Sequence, residues 1–151
     1  MIRTTLLQRV GVAGTIGVSG ALVGLMIARL EPLFDSAGFV GCAAAGAFAA
    51  GLVLADGFGR RGPWGWALSA ASFALATVLG AAIAVLFLPL EDLIARIDLP
   101  GLAINLANAS ILGPVYVMEM VTGRGGIFLP WAVSVLAVHL LALQWRKARS
   151  A

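Results

Sequence analysis

The chain has 151 residues, a net charge of +3, 61% hydrophobic residues and only 11% charged ones, with a mean hydropathy of +1.02. That leaves no room for a separate soluble domain. It also argues against nucleic-acid binding: nine Arg and one Lys flank apolar runs and form no basic stripe interleaved with aromatics. The chain reads as an all-α integral membrane protein forming a single membrane domain over 1–151, in contact with lipid and with other membrane protein subunits.

A helix needs about 20 mainly apolar residues to cross a hydrocarbon core. Four runs meet this length and hold no acid or base within their bounds, at 10–28, 37–55, 64–90 and 127–145. Backbone polar groups inside lipid must pair within their own segment, which predicts helices.

The first run lies between Arg9 and Arg29. Its Gly11, Gly14 and Gly17 break up the apolar core that a cleavable leader would need, so it is expected to stay as the first span. It also carries Gly20 and Gly24, a GxxxG pair. The second run ends at Asp56 and carries Gly41, Ala45 and Ala49 at spacing four, with Gly46 and Ala50 beside them. Cys42 is the one cysteine and reads as a small packing residue. Asp56 is expected to pair with Arg60 or Arg61. The stretch 57–63 reads as a turn: no Lys-Ser/Thr helix follows that would make it a phosphate loop.

Trp64 and Trp66 open the third run, where tryptophan anchors a helix at the headgroup level. Ala76, Gly80 and Ala84 form its small-residue row. Small residues let helix backbones approach closely, so Gly20, Gly24, Gly41, Ala45, Ala76, Gly80 and Ala84 are the expected helix-packing positions.

The stretch 91–126 is charged at first and then apolar from Leu99 to Met120, with Gly113-Pro114 inside it. Proline disfavours helix just before it, which predicts an interrupted interfacial or re-entrant segment between the third and fourth spans. The charge count agrees. Four spans put seven basic residues on one side and three on the other, whereas five spans split them evenly. Both termini are then expected on the cytoplasmic side. Asn105 and Asn108 share a helix face here and Glu119 follows. They serve either interhelical hydrogen bonds or a polar path beside the break at Gly113-Pro114. Glu119 is also expected to pair with Arg124.

The last run is bulky, rich in Leu and Val, and is the expected lipid-exposed or partner-facing helix. Trp131 and Trp145 are expected at its two interfaces. His139 is the one histidine. It is either a haem or chlorophyll ligand or, by the plainer reading, a histidine hydrogen-bonded to a neighbouring helix through Ser134 or a backbone carbonyl.

Catalytic carboxylate pairs, a serine–histidine–acid set and metal-ligand spacing are missing from the sequence. No cofactor is expected. The functional expectation is a non-enzymatic accessory subunit of a larger bacterial inner-membrane complex, acting by helix packing and assembly. The alternative is a small oligomeric transporter or channel component.

Overall fold

The computed structural model describes residues 5–30, 37–87, 99–123 and 125–148. It is helical, with α1 at Leu6–Leu30, α2 at Ala37–Leu54, α3 at Pro63–Phe87, α4 at Leu99–Gly123 and α5 at Gly125–Lys147. A short 3-10 turn, Ala55–Gly57, follows α2. Four helices among the described residues are long and apolar enough to cross a membrane, at 6–30, 37–57, 63–84 and 126–147. This is consistent with a helical membrane protein.

The helix starts have local causes. Thr5 precedes α1, and its N–H donates to Gln8 Oε1 at 3.3 Å. This is half of a capping box: the third helical residue satisfies an orphan donor. Pro63 opens α3, where a missing N–H costs nothing.

The break expected at Gly113-Pro114 is absent, and α4 runs as one helix through Pro114. Proline forfeits one backbone hydrogen bond, and an apolar helix packed on its neighbours tolerates that loss. The same happens at Pro130 inside α5. Residues 88–90 of the third run and 91–98 of the connection lie outside the described residues.

The main core sits between α1, α2, α3 and α5. Val12, Ile16, Ala47, Ala50, Phe73, Ala76, Val138 and Ala142 are buried there with Phe58. A second cluster joins Val23 and Ile27 of α1 to Met120 and Val121 of α4 and Ile127 of α5.

Close backbone contact organises the first three helices. A Cβ at Gly20 would meet Ala47 and lie 2.8 Å from the Ala43 carbonyl oxygen. One at Gly24 would lie 3.0 Å from Ala43 Cβ, and one at Gly80 3.0 Å from Ala47 Cα. Ala76 and Ala84 are buried. On α2, however, Gly41 and Ala45 face outward, and a Cβ at Gly41 would meet nothing within 4 Å. Within the chain the contact face of α2 is Gly46, Ala47, Ala50 and Gly51, all buried. The helix is so rich in Gly and Ala that spacing alone does not select a face.

Candidate functional site

One end of the bundle gathers the polar chemistry. The start of α1, the end of α2, the start of α3 and the end of α5 meet there. Arg9 of α1 forms an ion pair with the Asp56 carboxylate. The backbone carbonyl of Asp56 accepts from Arg60 Nε and from Arg146 Nη2, each at 3.3 Å. Gln8 Nε2 donates to the Trp145 carbonyl at 3.1 Å. Gln8 therefore caps α1 with its oxygen and ties down α5 with its nitrogen. The expected carboxylate partners of Asp56, Arg60 and Arg61, are replaced by Arg9. Arg9, 47 positions away, folds back onto Asp56, and Arg60 donates to the Asp56 carbonyl.

His139 lies about two helix turns before Arg146 and is 1% exposed. Its Nδ1 is 2.5 Å from Ser69 Oγ, and Ser69 Oγ is 3.2 Å from the Gly57 carbonyl oxygen. A hydroxyl has one proton. When Ser69 donates to Gly57, the imidazole donates from Nδ1–H and Nε2 holds the lone pair. The Trp66 ring packs over the imidazole at a centroid distance of 3.9 Å. Ser134 is not the partner of His139: its hydroxyl donates to Pro130 O in its own helix at 2.8 Å. That bond to the preceding turn is always within reach of a helical serine.

Two of the tryptophans make specific contacts with other helices. Trp131 Nε1 donates to Thr77 Oγ1 at 2.9 Å, and its ring meets Phe73 edge to face at 5.5 Å. Thr77 in turn donates to Phe73 O at 2.9 Å, so its hydroxyl is used in both directions. The Trp145 ring fills the notch left by Gly11, where a Cβ would come within 2.6 Å of it. Trp64 is exposed.

Gly59 makes the junction possible. Its φ is +71°, and a Cβ there would lie 2.6 Å from the Ala142 carbonyl carbon. Only glycine combines that conformation with so close an approach.

A pocket of about 470 Å³ opens at this end. Arg60, Arg61 and Lys147 stand around it, and Trp66, His139 and Leu143 form its inner wall. These residues come from the 57–63 turn, α3 and the end of α5, and no local spacing in the sequence joins them. The cluster of Arg60-Arg61 with Arg146-Lys147 was its one legible signal.

The expected polar path does not meet this site. Asn108 and Glu119 are exposed on α4, and the side chain of Asn105 lies outside the described residues. The Glu119–Arg124 pairing also lies outside them. Cys42 is half-buried. No group of three or more His, Cys, Asp or Glu side chains with metal-binding geometry occurs among the described residues. Comparison with protein-family models, curated proteins and solved structures finds no match to this chain.

Proposed function

We propose that the chain is a non-enzymatic subunit of a larger complex in a bacterial cytoplasmic membrane, with both termini cytoplasmic, and that it acts by helix packing and assembly. The observation that carries this reading is a stripe on the outward face of α4. Ile104, Asn108, Ile111, Val115, Glu119 and Thr122 recur at three- and four-residue spacing, and all are exposed. Ile104, Ile111 and Val115 are 62%, 66% and 60% exposed. Such a stripe is an interaction seam for another helix.

Asn108 is what favours protein over lipid as the occupant. Asn108, Glu119 and Thr122 make half of the stripe polar, and lipid tails would leave the amide without the hydrogen-bond partner that another helix can supply. The outward side of α5 is different. Leu129, Val133, Leu136 and Leu140 form an apolar row, for which either lipid or a partner suffices.

The test is purification from the native membrane in mild detergent, with a photo-crosslinking residue at Ile111 or, as a control, at Val53 of α2. Crosslinks to another membrane protein at Ile111, lost in Asn108→Leu, support the reading. A stable partner-free particle that moves a solute across liposomes, with transport abolished by Asn108→Leu, would overturn it in favour of a small transporter.

A further inference from the structure

We propose that the pocket at the Asp56 end binds the phosphate of an anionic phospholipid. Three features converge on this chemistry. The first is charge. Arg9, Arg60 and Arg146 gather at Asp56, and Arg60, Arg61 and Lys147 stand around the pocket. A phosphate accepts charge-assisted hydrogen bonds from guanidinium and ammonium groups placed like these.

The second feature is the inner wall. Trp66 and Leu143 give the pocket an apolar side beneath its cationic rim. A free inorganic anion gains nothing from such a wall. A lipid lays its glycerol and first methylenes against it while the phosphate stays at the rim. Trp66 is held in that position by packing on His139, which is itself fixed by Ser69.

The third feature is depth. The pocket lies where the apolar segments 63–84 and 126–147 begin and end, with Trp66 and Lys147 at those boundaries. This is the level of lipid headgroups when the helices span a bilayer, and basic pockets between helix ends at that level bind anionic headgroups. The proposal does not depend on a protein partner, so the test above and the one below fail separately.

Protein purified in mild detergent is titrated with phosphatidylglycerol or phosphatidylcholine, and native mass spectrometry counts bound lipid. Phosphatidylglycerol is expected to bind more tightly than phosphatidylcholine. Arg61→Gln with Lys147→Gln should weaken it about 30-fold, and Arg61→Gln alone about 5-fold. Arg61 is exposed, so the single variant keeps its fold. Arg29→Gln, near the other end of α1, is expected to leave binding unchanged. Glycerol phosphate at millimolar concentration should not displace the lipid. Equal binding of the two lipids, undiminished binding in Arg61→Gln, or the same loss in Arg29→Gln would overturn the proposal. Displacement by glycerol phosphate would also overturn it, because the site would then be one for a soluble phosphate.

Discussion

Ser69 holds one hydroxyl proton between the Gly57 carbonyl and the His139 imidazole, and this small fact joins the 57–63 turn, α3 and α5. Removing the hydroxyl leaves Nδ1 of a buried ring without its partner, which costs about 1–3 kcal/mol. Ser69→Ala is therefore expected to lower the thermal unfolding temperature in detergent. Ser134→Ala removes only a bond to its own helix and should change stability by less than about 0.5 kcal/mol. Equal destabilisation by the two would mean that the histidine clamp adds nothing. The sequence made His139 legible as a bonded histidine but pointed to Ser134. Its true partner is 70 positions away, and no local spacing encodes such a pairing.

Among the helices, the small-residue rows of α1 and α3 were legible because bulkier residues separate them from the rest of each helix. On α2 the rows at Gly41 and Gly46 compete, and only docking decides between them. A Cβ at Gly46 would strike Gly80 and come within 2.7 Å of the Ala84 nitrogen. Gly46→Leu is expected to cost about 3 kcal/mol or to prevent folding, as overpacking against backbone cannot be relieved by a rotamer change. Gly41→Leu should leave the purified chain as stable as the parent. Unfolding midpoints of the two variants check this, and matching values would refute the assignment of faces. The continuity of α4 was illegible for another reason. Local preference at Gly113-Pro114 argued for a break, and packing of Tyr116, Val117, Met120 and Val121 on α1 and α5 outweighed it.

At the scale of the whole molecule, the direct bond between Gln8 and Trp145 brings the two termini to one end of the bundle. Four apolar helices were legible to within a few residues because Arg9, Arg29, Asp56 and Arg146 punctuate them. Reporter domains fused at the N- and C-termini are expected to report the same compartment, and a reporter inserted at 91–98 the opposite one. Termini found on different sides would require an odd number of crossings and would remove the four-span arrangement. The polar end itself was only half legible. Its cations stood out as membrane-flanking charge, but the meeting of Arg9, Arg60 and Arg146 at Asp56 depends on tertiary closure.

Synthesis runs from α1 to α5, so the notch at Gly11 waits empty while most of the chain is made. The Arg9–Asp56 pair needs only α1, α2 and the turn after it, but Trp145 fills the notch only when the last helix arrives. The final helix is thus a clasp, and a ribosome that stops early releases an open bundle. A chain truncated before Gly125 is expected to be cleared by membrane proteases. Co-expression of residues 125–151 as a separate helix should restore its level on immunoblots. Unchanged abundance of the truncated chain alone would show that the first helices need no clasp.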